Sequence, residues 1–316
     1  RYAQGHLYCP RKRCNLCCGR SESYITAHAH PGKVAIVTGG GTGHLPLFLG
    51  YVGEGLIDGC GVGGVFQSPS PEQIYEISKA VDSGAGVLYL YGNYTGDIMT
   101  FDMAAEMCDM DGITTASIVG ADDVNSGAAE VRRGVAGIFF MYKAAGAKAA
   151  EMGSLDEVLA AAQKAKENTR TVGFAFTPCI IPELGQPNFT LGDNEMAMGM
   201  GIHGEPGIMR TSVMSDEKLA ETLLEEIFKD KDYTGDEVAV MINGLGATPL
   251  MELYILTREV NRILLEKGVK PYRYFVGEYM TSLEMSGTSV SLMALDDELK
   301  TLIDAPCDSM ALKVGG

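Results

Sequence analysis

Residues 33–50, KVAIVTGGGTGHLPLFLG, are the stretch whose reading decides the fold. Val34, Ala35, Ile36 and Val37 make a short apolar run of the kind a buried parallel strand uses. The run leads directly into Gly39, Gly40, Gly41, Thr42, Gly43 and His44. Glycines at that density admit positive φ and let a ligand approach the main chain closely. The turn delivers His44 to the place where a strand's carboxyl end opens toward a crevice in an α/β sheet. Glycine turns after strands are common, so the stretch alone yields a strand, a turn and one candidate imidazole.

Outward from this turn the pattern stays regular. FQSPSP at 66–71 is a loop in which Ser70 can cap a helix beginning at Pro71–Glu72. That helix spaces Ile74, Ile77, Ala80 and Val81 on one face. Residues 87–91 (VLYLY) form the next strand, ending in GNYTGD at 92–97, and a helix over 98–109 buries Met99, Met103, Ala104 and Met107. Residues 114–119 make a third strand, and helices are expected over 126–133, 138–152 and 155–167, the last opened by the capping box Ser154–Glu157. Alternating strands and helices with short turns imply a mainly parallel sheet covered on both faces. A second unit follows from 169. It has strands at 172–176, 237–242, 272–277 and 288–295, and helices at 216–228 and 249–266. Residues 178–210, rich in Gly, Pro and Met, are too irregular for one element and too long for an idle connector. The expected organisation is an irregular leader over 1–31, a first α/β domain over 32–168 and a second over 169–316, with mainly parallel or mixed sheets.

Composition narrows the function. With 41 acidic against 25 basic side chains the net charge is −16, which argues against nucleic acid and anionic membranes as partners. No uninterrupted apolar run approaches the length that spans a bilayer, and the start of the chain lacks the layout of a secretory signal. The expected compartment is the cytoplasm. Cys60, Cys108, Cys179 and Cys307 are scattered singly and read as small buried thiols. Cys9, Cys14, Cys17 and Cys18 crowd the basic leader near His6, His28 and His30. Cys14 and Cys17 have C-x₂-C spacing, but no matched second pair follows, so no metal is expected.

Histidines carry most of the functional information. Three of five lie in the leader; the body holds only His44 and His203, each beside a glycine. Asp97 ends a strand–turn unit at the start of a helix, where it can cap the helix, act as a general base, or do both. Asp193, Asn194 and Glu195 read equally as a binding patch or a solvated loop, and Glu205-Pro206 as a turn. GGGTGH lacks the lysine and hydroxyl of a P-loop, and His44 stands where G-x-G-x-x-G needs its third glycine. A phosphotransferase component with this chain would hold the acceptor rather than the nucleotide.

These residues resemble the dihydroxyacetone kinase family, specifically its substrate-binding K subunit or K domain. The matching words are TGGGTGH at 38–44, FQSPSP at 66–71, GNYTGD at 92–97, RRGVAG at 132–137, FTLGDNEMAMGMGIHGEPG at 189–207, NGLGATPLMELY at 243–254 and DAPCD at 304–308. They run in family order from about residue 32 onward; the leader is not covered. The resemblance implies that His203 holds a short ketose as a covalent hemiaminal. It also implies that Asp97 takes the proton of the hydroxyl to be phosphorylated and that His44 hydrogen-bonds the substrate. Gly41, Thr42, Ser68 and Gly92 would line the pocket. It implies no nucleotide on this chain, with ATP or ADP and magnesium on a separate L-type subunit or domain, and a homodimer. Two departures bear on the substrate: Leu45 replaces the glutamate usual after the first histidine, and Gly92 the lysine usual before NYTGD. Loss of a carboxylate and an ammonium alters the pocket's charge and room, which points to a related ketose such as erythrulose rather than, or besides, dihydroxyacetone. The same site without catalysis would make a ketose-sensing regulatory co-activator.

Overall fold

The computed structural model describes residues 14–17, 22–28, 30–205 and 207–315. In chain order the elements begin with β1 (Cys14–Leu16), β2 (Ser23–Thr26), β3 (Ala35–Gly41), β4 (Gly59–Gly63), α1 (Pro71–Val81), β5 (Val87–Gly92), α2 (Thr95–Met110) and β6 (Thr115–Gly120). Then come α3 (Ile138–Ala150), α4 (Leu155–Asn168), β7 (Thr169–Ala175), β8 (Ile180–Ile181), β9 (Gln186–Pro187), β10 (Glu195–Met198), β11 (Met209–Ser212) and α5 (Asp216–Asp230). The chain closes with β12 (Glu237–Gly244), α6 (Leu250–Glu266), β13 (Lys270–Gly277), β14 (Gly287–Leu295), α7 (Asp297–Asp304), β15 (Cys307–Asp308) and β16 (Lys313–Val314). These form two compact units: Arg1–Gly120 with Phe139–Ala165 and Glu298–Gly316, and Ala121–Ile138 with Lys166–Asp297. The units therefore interleave along the chain instead of meeting at one cut near 168.

The first unit is built on a six-stranded sheet of order β1-β2-β4-β3-β5-β6. β4, β3, β5 and β6 are mutually parallel, while β1 and β2 add an antiparallel edge. From β3 the chain goes to β4 on one side and then to β5 on the other. The carboxyl end of β3 is thus a switch point, where open α/β sheets bind ligands. Two elements depart from expectation. Part of the leader is regular, since β1 and β2 lie in the sheet; His6, Cys9 and Cys18 lie outside the described residues. β4, sequence GCGVG, escaped detection because glycine carries no strand signal. Cys14 stands in a disulfide, and the buried thiol of Cys17 packs against the apolar core and donates to Glu76 O at 3.7 Å. Buried Lys143 of α3 donates from Nζ to the carbonyls of Leu302 (2.9 Å) and Ala305 (2.6 Å), capping α7 and tying the chain's last helix to this unit.

Helix α2 is rotated from the expected face. Asp97, Thr100, Phe101, Ala104 and Cys108 are buried, whereas Met99 and Met103 are 60% and 51% exposed. The aromatic side chain decides the rotation. Phe101 stacks on Tyr91 with centroids 4.1 Å apart and rings 3° from parallel, and meets Tyr89 edge-on at 5.2 Å. One ring lodged between two tyrosines outweighs two flexible thioethers.

The second unit carries a mixed sheet, order β11-β10-β7-β14-β12-β13, in which only β12 and β13 are parallel. Its core joins Val172, Val240 and Leu292 of the sheet to Leu223 of α5 and Leu253 and Val260 of α6. The expected helix over 126–133 is instead two short 3-10 turns, Val124–Ser126 and Ala129–Val131. Asp123 caps the first by accepting from Asn125 N–H (3.2 Å), and Gly127 breaks any continuation at φ 143°. The irregular segment 178–210 resolves into the hairpins β8–β9 and β10–β11.

The rotation of α2 is testable by chemical denaturation. Phe101→Ala should cost about 3–5 kcal/mol, and Met103→Ala should stay within about 0.5 kcal/mol. Equal losses would mean that the methionine stripe is the packed face.

Candidate functional site

In the first unit the site grows from three strand ends. His44, on the 3-10 turn that follows β3, is only 1% exposed. Its ring stacks on Phe66 (centroids 4.8 Å, 24°) and meets Phe48 edge-on at 6.4 Å. Both phenylalanines adopt left-handed backbone, φ 57° and 68°, which costs energy for a bulky side chain and is found where the surroundings enforce it. The glycines explain how the rings fit. A Cβ on Gly40 would lie 2.1 Å from the Phe48 ring, and one on Gly43 2.3 Å from that of Phe66. Part of the glycine cluster therefore makes room for an aromatic clamp on His44 rather than for a ligand. Gly41 ends β3 opposite Gly63, and Thr42 N–H donates to Gly64 O at 3.1 Å.

Asp97 is not the helix cap. Tyr94 holds that position, and Asp97 lies in the first turn of α2, 6% exposed, where helix dipoles favour an anion. Ser68, from the FQSPSP loop, donates its hydroxyl to Asp97 Oδ1. Thr100 Oγ1 donates to Pro69 O (3.1 Å), binding the same loop to the same helix. Gly92 closes β5, paired with Gly120. Ser68 and Asp97 are thus in direct contact, and His44, Gly41, Thr42 and Gly92 all stand at carboxyl ends of the parallel strands.

His203 belongs to the second unit, in the loop between paired β10 and β11. Met198 faces Met209 at the loop's base, and Ile208 N–H donates to Met198 O (2.9 Å). Glu205, read as part of a turn, is also the carboxylate partner of His203. Its Oε1 lies 3.0 Å from His203 Nδ1, and its Oε2 accepts from the His203 backbone N–H at 2.9 Å. Burial alone would raise the Glu205 carboxyl; the bonds and charge of His203 and the loop amides overcome this and hold it at about 2. An ionised Glu205 makes Nδ1 the protonated nitrogen and leaves the lone pair on Nε2. Ser282 Oγ donates to Ile202 O, one residue before the histidine. Glu205 and Ser282 carry no sequence signal as site residues beyond Glu205's place two positions after His203. Asp193 is exposed, and Glu195 Oε2 accepts from Gly192 N–H (2.9 Å), so that patch serves its own turn. Among the described residues no cluster of three or more His, Cys, Asp or Glu could hold a metal ion.

Two measurements follow. Gly43→Ala should displace the Phe66 ring, cost about 1–3 kcal/mol, and remove the ring-current shift of the His44 resonances in NMR; an unchanged His44 spectrum would contradict the clamp. For Glu205, the folded value of about 2 lies below the ordinary 4.5. Its contribution is therefore complete above about pH 4.5 and lost as pH falls toward 2. The stability difference between wild type and Glu205→Gln should shrink from pH 5 to pH 3 in urea denaturation. A constant difference would mean that the pair does not hold the carboxylate down.

With this geometry in place, comparison with known proteins is informative. Residues 12–311 match the Dak1 domain. The chain is 49% identical over 284 residues to the PTS-dependent dihydroxyacetone kinase 2, dihydroxyacetone-binding subunit DhaK, of Listeria innocua, covering 89% of this chain and 86% of that protein. It is 42% identical over 289 residues to the D-erythrulose kinase of Mycolicibacterium smegmatis, covering 90% of this chain and half of that longer protein. Among solved structures, the dihydroxyacetone kinase operon co-activator Dha-DhaQ superposes with a TM-score of 0.88 at 30% identity, over 93% of each chain. A domain match over nearly the whole chain, and 49% identity across 86% of a relative, make this chain a member of the Dak1-domain family, the K-subunit family of the dihydroxyacetone kinases.

Proposed function

We propose that this chain is the substrate-binding component of a dihydroxyacetone-type kinase, holding a short ketose on His203 while a terminal hydroxyl is phosphorylated. The observation that carries the reading is the His203–Glu205 pair. With Nδ1 donating to an ionised carboxylate, the Nε2 lone pair attacks the ketone carbon and the carbonyl electrons move to oxygen, which takes up a proton. Positive charge develops on the ring as the N–C bond forms, and the ionised Glu205 stabilises it; the Nδ1 proton lost from the ring balances the one gained by the alkoxide through solvent, giving a neutral hemiaminal. Such a bond selects carbonyl sugars over polyols such as glycerol.

Asp97, its carboxylate oriented by Ser68, is the base for the hydroxyl to be phosphorylated, with His44 as a clamped hydrogen-bonding partner to the sugar. Phosphoryl transfer depends mainly on positioning and electrostatics, which suits a subunit that fixes and deprotonates an acceptor. GGGTGH lacks a phosphate cradle, and we assign the phosphoryl donor to an L-type subunit or domain. Similarity to an erythrulose kinase, together with Leu45 and Gly92, favours a four-carbon ketose alongside dihydroxyacetone. Similarity to the co-activator supports a second reading, in which the same adduct is sensed and not phosphorylated.

Intact-protein mass spectrometry after incubation with dihydroxyacetone or erythrulose tests the first step. An adduct of one sugar's mass in the wild type, absent in His203→Ala, is expected. Absence with both sugars would overturn the proposal. Asp97→Asn should retain the adduct but lose phosphorylation when a donor subunit is supplied, by at least about 100-fold for loss of a general base. An adduct that the wild type never phosphorylates would favour sensing.

A further inference from the structure

The loop that carries His203 has a second support which neither the motif nor the site chemistry uses. We propose that Arg133, oriented by Asp123, is a positioning residue that sets the Glu205–His203 pair by holding the loop's backbone from below. The proposal rests on His203 being the residue that holds the ligand.

Arg133 and Asp123 come from the segment that precedes β7. Arg133 Nε and Nη2 both reach Asp123 Oδ2, at 3.0 and 2.9 Å, and Nη2 also donates to Gly199 O at 2.9 Å. Gly199 is the first residue of the His203 loop. The Asp123 side chain is buried and that of Arg133 half-buried, and their backbones are tied to each other. Asp123 N–H donates to Arg133 O (3.2 Å), Arg133 N–H to Ser126 Oγ (2.9 Å), and Ser126 Oγ to Asp123 O (2.8 Å). Below them Asp122 accepts from Val135 N–H (2.9 Å) and Gly137 N–H (2.7 Å), which stiffens the RRGVAG segment itself.

The link to the histidine passes through Gly201. A Cβ there would lie 2.0 Å from Glu205 Oε2 and 2.5 Å from Arg133 Nη1, so both groups close on the same α-carbon. The guanidinium and the carboxylate that grips His203 thus both border Gly201. Ile202 is buried, but packing beneath this part of the loop is incomplete. Met200, Gly201 and Ile202 lie over a cavity of about 20 Å³, lined also by Asp123, Thr171 and Ser282, which is room for about one water. A loop over a void is held by its polar anchors, and beside the backbone bonds from Gly199 N–H to Gly173 O (2.8 Å) and Gly201 N–H to Glu205 O (3.2 Å) these include Arg133 on Gly199 O and Ser282 on Ile202 O.

A structural arginine and a positioning one differ in what the histidine reports. ¹⁵N-histidine NMR, with His203 assigned by His203→Ala, reads which ring nitrogen carries the proton in the ligand-free protein; mass spectrometry reads the ketose adduct. Arg133→Gln should keep the fold by circular dichroism but replace the Nδ1–H signature with a mixture of tautomers. Adduct occupancy should fall about tenfold, the size of coupling expected between neighbouring groups. Arg133→Lys, which keeps the charge but not the fork, should recover part of both. Asp123→Asn weakens the carboxylate grip that orients Arg133 without touching Gly201 or Glu205, and should disturb the tautomer in the same way. It decides the matter if Arg133→Gln does not fold. A wild-type tautomer in folded Arg133→Gln or in Asp123→Asn overturns the proposal. If wild-type protein binds no ketose, the proposed function fails, while the tautomer readings still decide the role of Arg133.

Discussion

The parallel hydrogen-bond ladder through β4, β3, β5 and β6 is the constraint on which the first unit's chemistry depends. Parallel strands must all run the same way, so their carboxyl ends emerge along one edge. Gly41 pairs with Gly63 there, and Gly92 with Gly120. Each functional group of this unit sits within a few residues of such an end: His44 after β3, Ser68 after β4, Asp97 after β5. Ser68 can meet Asp97 because both loops start from that edge. The buried face of α2 then locks the arrangement, since Phe101 between two tyrosines sets the helix rotation that turns Asp97 inward.

The second unit solves a different problem with a mostly antiparallel sheet. Its histidine is carried by a hairpin loop, and such a loop has no helix or strand interior to hold it still. The structure compensates with polar anchors at several points of the loop: Arg133 at Gly199, Ser282 at Ile202 and Glu205 at His203. Each is a directional bond made in a partly or fully buried setting, where hydrogen bonds to charged groups are strongest. Charge is used locally in the same way. Asp123 and Glu205 stand on opposite sides of Arg133 and Gly201, one pushed up to about 6 by burial, the other drawn down to about 2 by its histidine.

Much of the fold was legible in the chain. The strands expected at 87–91 and 237–242 and the helices from Pro71 and Asp216 announced themselves through apolar runs and periodicity, the first helix also through its cap Ser70. β4 was hidden because glycine has no side chain to show a period. The turns at 124–131 looked helical because the cap formed by Asp123 and the break at Gly127 depend on backbone geometry, not on residue type. Met99 and Met103 looked buried because an apolar side chain at helical spacing gives no warning that an aromatic neighbour fills the interior better.

Residue identity by itself determined which chemistry is available: one histidine after a glycine strand end, a second in a glycine loop, a carboxylate at a helix start, and no phosphate cradle. Those are properties of side chains and of short spacings, and they survive without knowledge of the fold. Only the tertiary structure decided what each group faces. It placed two phenylalanines on His44, Ser68 on Asp97, and Glu205 with Arg133 behind His203. Such contacts join residues up to tens of positions apart through strand register and helix rotation, which are set by the packing of the whole unit and have no local signature.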